Sequence, residues 1–210
     1  MSVESVMARI AEIQTALSPR PAAAPSAGSF QAVLGAQTDA VPGTALGLPA
    51  TQAGWVPAAT PGAGANARAA IVQAAGAEVG QAEQPPGSND SPRIAEYRAA
   101  TAGSGVGPWC AYFASWAARQ AGVPLGEQGQ GFGAVSAVWD WAQRTGRALP
   151  AGSTPQPGDL IVWGSRHIGI VESVDPSGAI HTIEGNSSDA VSRRTYGPDG
   201  GGATGYVRPG

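Results

Sequence analysis

Val3, Val6, Ile10, Ile13 and Leu17 recur at alternating steps of three and four residues, the spacing that aligns side chains on one face of an α-helix. This predicts a short amphipathic helix over residues 1–17, ended by Ser18-Pro19 and Pro21. A helix of this length is marginal alone in water, so it needs a partner surface on this chain or another. From residue 18 to 66 the period is lost. Phe30, Val33, Leu34 and Trp55 are the sizeable apolar anchors there, too few to bury a core. The stretch reads as an Ala/Pro/Gly-rich linker, with Phe30–Leu34 as a second short docking segment.

Periodicity returns after residue 67. Helices are expected over Ala67–Ala77, over Ser91–Ala100 with Ser91 as N-cap and Pro92 in the first turn, and over Trp109–Ala121, closed by Gly122 and Pro124. A fourth is expected over Ala134–Thr145, with Val135, Val138, Trp139 and Ala142 on one face. Beyond Pro155 and Pro157 the period becomes alternating. Strands are expected over Asp159–Trp163, His167–Val174, Ala179–Gly185 and Val191–Tyr196, with a fifth over Thr204–Arg208. Helices first and strands afterwards imply an α+β domain over residues 67–210, its antiparallel sheet packed on the helices.

Composition narrows the function classes. Gly and Pro together number 49 of 210 residues (31 and 18), and all twelve basic residues are arginine. The net charge of −3 and the absence of a basic stripe argue against nucleic acid or an anionic membrane as partner. No apolar run is long enough to span a bilayer. Glu4, Arg9 and Glu12 interrupt any apolar core of a classical signal peptide. One cysteine excludes an internal disulfide and any zinc site built on several thiolates.

A lone cysteine is more often buried filler than a nucleophile, so context decides the case of Cys110. It stands at the start of a predicted helix, where unpaired N–H groups and the positive end of the macrodipole favour thiolate over thiol. The same N–H groups suit an oxyanion. His167 opens a strand in which Ile168 and Ile170 point inward, so His167 and Gly169 face the other way. This makes His167 a candidate general base, with Gly169 leaving space beside it. Glu184 lies opposite Ile183 in the next strand, and Asn186 shares its face if the strand continues. Either could hold the imidazole in one orientation. His181 points away from Glu184 and reads as structural. Arg193-Arg194 reads as a solvated pair. The glycines near 102–107 lack the Lys-Ser/Thr of a phosphate loop. Trp109 and Trp141 are candidates for lining a substrate groove; Trp116, Trp139 and Trp163 read as core.

Four segments in this order carry a family resemblance: Pro108-Trp-Cys110-Ala-Tyr-Phe-Ala-Ser-Trp116, Gly158-Asp-Leu-Ile-Val-Trp163, His167-Ile-Gly-Ile-Val171 and Ile183-Glu184-Gly-Asn186. Together they resemble a CHAP domain, a cysteine, histidine-dependent amidohydrolase/peptidase of the papain-like NlpC/P60 superfamily, over most of residues 75–207. The resemblance implies helices packed on a twisted antiparallel sheet, with Cys110 as nucleophile, His167 as base, Glu184 as orienting residue and Asn186 lining the site. Pro85–Asp90 is similar to a segment that precedes the site in some members. The calcium-holding Asp-rich loop of some phage members is missing before Cys110, so neither metal nor cofactor is expected.

The implied activity is hydrolysis of an amide bond in peptidoglycan, either N-acetylmuramoyl-L-alanine or a peptide bond of the stem or crossbridge. The rival expectation is a non-cleaving envelope module anchored by its N-terminal helix. Residues 1–35 are expected to dock on a flagellar or other wall-spanning assembly. Without a classical signal, the protein is expected to be made in the cytoplasm and to reach the wall by specialised export or lysis.

Overall fold

The computed structural model describes residues 63–210. The docking helix expected over 1–17 and the linker residues 18–62 lie outside the described residues. Helix α1 spans Ala63–Gly76, starting four residues before the expected Ala67. Its Ala- and Gly-rich first turn carries no apolar signal that would mark a start. Ile71 and Ala75 are its buried contacts.

Helix α2, Pro92–Arg98, has the expected cap. The Ser91 hydroxyl accepts the Ile94 N–H and Pro92 occupies the first turn. Helix α3, Cys110–Gln120, is buried from Cys110 to Ala118. It packs against α1, α2 and the sheet, which explains its apolar residues on every side. Gly122, at φ 75°, turns the chain away after it. Helix α4, Val135–Arg144, buries Val135, Val138, Trp141 and Ala142. Trp139, expected on that face, is half-buried at its margin.

Six antiparallel strands follow: β1 (Ala148–Pro150), β2 (Leu160–Trp163), β3 (His167–Val174), β4 (Ile180–Glu184), β5 (Ser192–Tyr196) and β6 (Gly205–Val207), in the order β1-β6-β2-β3-β4-β5. The fold is α+β, as expected, and β3 has the expected bounds. Strand β1 was not expected. It is three residues long, ends in Pro150 and lies at the sheet edge, where a missing N–H costs no ladder bond.

The two faces of the sheet bury different sets. Leu160, Val162, Ile168, Ile170 and Ile183 face the helices and join the main core. Ile161, Trp163, Val171, Ile180 and Tyr206 form a second, smaller core with Ala203. His167 and Gly169 fall on this second face by alternation. Asp159 is fully buried where β2 begins. It accepts two bonds from the Arg208 guanidinium, at 3.0 and 2.7 Å, and fastens the end of the chain to the sheet. Among the described residues no helix is long and apolar enough to cross a membrane.

Candidate active site

Cys110 is the first residue of α3, with Trp109 as N-cap. The N–H groups of a helix's first turn have no partner within the helix, and Cys110 carries one of them; the first helix bond here is that of the Phe113 N–H to the Trp109 carbonyl. His167 opens β3, in register with Trp163 of β2. The packing of α3 on β3 brings the helix start to the strand start, and Cys110 lies close enough to His167 to raise its pKa.

The other imidazole nitrogen is engaged as well. His167 Nε2 lies 2.8 Å from Glu184 Oε2, which leaves Nδ1 for the sulfur. Glu184 is itself about 1% exposed. Its second oxygen accepts the Thr182 hydroxyl at 2.6 Å and the Tyr196 hydroxyl at 2.9 Å. Three donors thus converge on one buried carboxylate. Burial alone would raise its pKa, yet the bonds from His167, Thr182 and Tyr196 hold it below the usual carboxylate value. His167 shows the mirror effect. Burial would lower its pKa, but the neighbouring Cys110 and the charged, hydrogen-bonded Glu184 carboxylate push it up to about 9. The site is therefore built to keep an imidazolium beside the sulfur at neutral pH.

Gly169 explains how a buried Glu184 fits. A Cβ at Gly169 would come within 2.8 Å of Glu184 Cγ. The space left by the missing side chain holds the carboxylate arm rather than a gap beside the ring. Trp163 closes the other side: its ring stacks on His167 with centroids 5.5 Å apart and planes 26° apart. Its Nε1 donates to the Gly200 carbonyl at 2.8 Å. An aromatic face against an imidazolium favours the charged form.

The three residues Glu184-Gly185-Asn186 have separate tasks. Glu184 faces His167. Gly185 has no side chain because Phe113 of α3 lies there; a Cβ would meet its Cβ at 2.6 Å. Asn186 has φ 56°, a left-handed conformation that Asn tolerates better than most residues. This turns Asn186 away from His167 and toward the N-cap of α3. In the amide orientation that satisfies both ends, its oxygen accepts the Trp109 N–H and its nitrogen donates to Glu83 Oε1, both at 3.2 Å. Asn186 thus borders the start of α3, beside Cys110, instead of the imidazole.

Cys110 opens on a groove of about 270 Å³. Pro108, Tyr112, the Gly133–Ser136 segment, Ser165 and Arg166 line it with Cys110. The expected groove residues lie elsewhere. Trp109 has no exposed surface and its Nε1 donates to Glu83 Oε1 at 2.9 Å. Trp141 is buried against Phe132 and borders a separate 160 Å³ cavity near the end of the chain. Trp109 read as a groove wall because a tryptophan beside a cysteine is ambiguous before its N–H partner is known.

His181 is half-exposed. Its Nδ1 is 3.1 Å from the Thr195 hydroxyl and its Nε2 is 3.6 Å from Asp175. Arg193 pairs with Glu172 on the surface. Thr182, Tyr196, Trp163 and Glu83 were not anticipated as part of the site. Thr182 could have been found, because it alternates onto the face of Glu184. Tyr196 could not, because its place depends on the pairing of β5 with β4.

Residues 101–186 match a family model of the CHAP domain. No curated protein shows a significant match to the chain. Among solved structures the chain is similar to that of the peptidoglycan hydrolase RipB from Mycobacterium tuberculosis. The identity is 20%, the match covers 86% of this chain and 77% of that one, and the TM-score is 0.44.

Proposed function

From a chain whose residues 101–186 form a CHAP domain, we propose a cysteine-dependent peptidoglycan hydrolase that cleaves an amide bond of the cell wall. One observation carries the reading. A sulfur at a helix N-terminus lies beside an imidazole that a buried carboxylate holds from behind at 2.8 Å, and that sulfur lines a groove.

The reaction is acyl transfer. Cys110 Sγ, as thiolate, attacks the carbonyl carbon of an amide lying in the groove. The negative charge that develops on the carbonyl oxygen is met by the backbone N–H groups of the first turn of α3. His167, protonated, gives its proton to the departing amine nitrogen as the C–N bond breaks. The acyl group stays on sulfur as a thioester. Water then adds to the thioester while His167 takes one of its protons, and the carboxylic acid leaves as the C–S bond breaks, which restores the thiolate and the protonated His167. Glu184 keeps Nε2 engaged throughout, so the ring presents Nδ1 to the sulfur. Two bonds fit this chemistry: N-acetylmuramoyl-L-alanine, and a peptide bond of the stem or crossbridge.

The intact Cys110, His167 and Glu184 set speaks against a non-cleaving envelope module, which has no use for three interdependent groups. Residues 1–35 are proposed to dock the enzyme on a wall-spanning or flagellar assembly. Specialised export or lysis would then bring it to its substrate. Deleting residues 1–20 should abolish localisation and spare activity on isolated walls; loss of both refutes the docking role. For the activity itself, dye-labelled purified walls should be solubilised by the wild type and not by Cys110→Ala. Equal release by the two, or none by either with the protein folded and reduced, refutes the hydrolase reading.

A further inference from the structure

Glu83 is a buried acid, about 4% exposed, that the acyl-transfer chemistry does not use. No cation pairs with it among the described residues. A buried carboxylate is costly unless its oxygens are satisfied, and here all its partners are neutral donors. Oε1 accepts the Trp109 indole N–H at 2.9 Å and the Asn186 amide at 3.2 Å. Oε2 accepts the Asn89 backbone N–H at 2.8 Å. Asn89, like Asn186, sits at positive φ, 55°, which aims its N–H at the carboxylate.

The backbone of Glu83 is fastened on the other side. Its N–H donates to the Asp189 carbonyl at 2.9 Å, and Val191 N–H donates to the Gln81 carbonyl at 2.8 Å. Ala82 bridges Ala190. The segment 80–83 therefore runs along the chain that follows Asn186, two residues beyond Glu184. On one side Glu83 is tied to the segment that follows β4, the strand carrying Glu184; on the other it grips the residue before Cys110.

We infer that Glu83 is a positioning residue, a clamp that fixes the N-terminus of the nucleophile's helix against the end of β4 and so sets how Cys110 meets His167. Asn186 belongs to the same clamp, since it binds both Glu83 and the Trp109 N–H. Without the clamp, packing alone holds the helix start, and the sulfur shifts from the imidazole that stabilises its charge. The inference rests on Cys110 as nucleophile but not on any particular substrate.

The test is alkylation of the full chain by iodoacetamide between pH 4 and 10, followed by intact mass. The single cysteine makes the mass added by the wild type and not by Cys110→Ala a report on Cys110. Glu83→Gln keeps the shape but turns an amide nitrogen toward donors. Trp109→Phe removes one donor and keeps an aromatic ring beside Tyr97. In each variant the profile should move toward alkaline pH, with alkylation at pH 7 about tenfold slower, since the thiolate is the reacting form. Melting should change by only a few degrees. In the double variant the effect should be no larger than in the worse single one, because both remove the same link. Profiles that superimpose on the wild type overturn the inference, whether or not melting falls. If Glu83→Gln does not fold, Trp109→Phe decides alone. An unshifted profile with walls still cleaved refutes the clamp and leaves the hydrolase standing; a shifted profile with no wall cleavage does the reverse.

Discussion

Replacing Glu184 by Gln probes the electrostatics of the site at its centre. The amide is nearly isosteric. Its oxygen still accepts from Thr182 and Tyr196, so the buried environment remains satisfied. What is lost is the charge behind His167, and the amide N–H₂ now points at Nε2 and opposes a proton there. His167 titrates at about 9 instead of 6.5, a preference for the protonated ring of roughly 3 kcal/mol. Burial works against that preference, so Cys110 and Glu184 supply all of it. A charge-assisted hydrogen bond to a carboxylate contributes about 1.5–3 kcal/mol, or about one to two pH units. The rate of wall solubilisation should fall above pH 9 in the wild type, as the imidazolium deprotonates. In Glu184→Gln the same limb should lie between roughly pH 7 and 8. Folding stability should follow the same sign. His167 has its pKa raised on folding, so its contribution is complete below about 6.5 and is lost as pH rises through about 9. Rates measured from pH 5 to 10.5 on dye-labelled walls, with urea midpoints at each pH, check both. An alkaline limb that stays at 9 in the variant would refute the reasoning, even if the overall rate fell.

Gly169→Ala forces a Cβ to 2.8 Å from Glu184 Cγ. It should cost about 1–3 kcal/mol in urea unfolding and lower the rate through a displaced carboxylate; unchanged rate and stability would contradict the packing argument. Trp163→Leu removes the stacked face and the bond to Gly200. It should lower the alkaline limb by a few tenths of a unit, the order expected of a weak cation–π contact, read from the same pH profile. Arg208→Ala leaves Asp159 buried without its cation. This should destabilise the fold by about 3 kcal/mol in urea and leave the rate per folded molecule unaltered; a rate loss without destabilisation would place Arg208 in the site.

Much of this arrangement was legible before the structure. His167–Val174 alternates cleanly because its two faces meet two cores. Ser91-Pro92 signals a helix start by capping chemistry alone. Cys110, His167 and Glu184, which the structure brings together, stood out because helix start, strand start and strand alternation are local properties. What was hidden depends on tertiary contacts. Asn186 seemed to share the face of Glu184, but its positive φ breaks the alternation and sends it to Trp109. Trp109 looked like a groove wall until its indole N–H found Glu83. Glu83 lies in an exposed-looking Gln-Ala-Glu-Gln-Pro-Pro stretch with no apolar period, and only the bridge of Ala82 to Ala190 draws it inside. Tyr196 needed the β4–β5 register, and β1 was too short and too close to proline to give a pattern.

The most direct test of the central claim is mass spectrometry of the soluble fragments that the enzyme releases from purified peptidoglycan. The account predicts fragments carrying a new carboxyl and a new amine terminus at a single amide bond, produced by wild type and absent with Cys110→Ala. Intact amide bonds in all released material, or the same termini from the alanine variant, would contradict it.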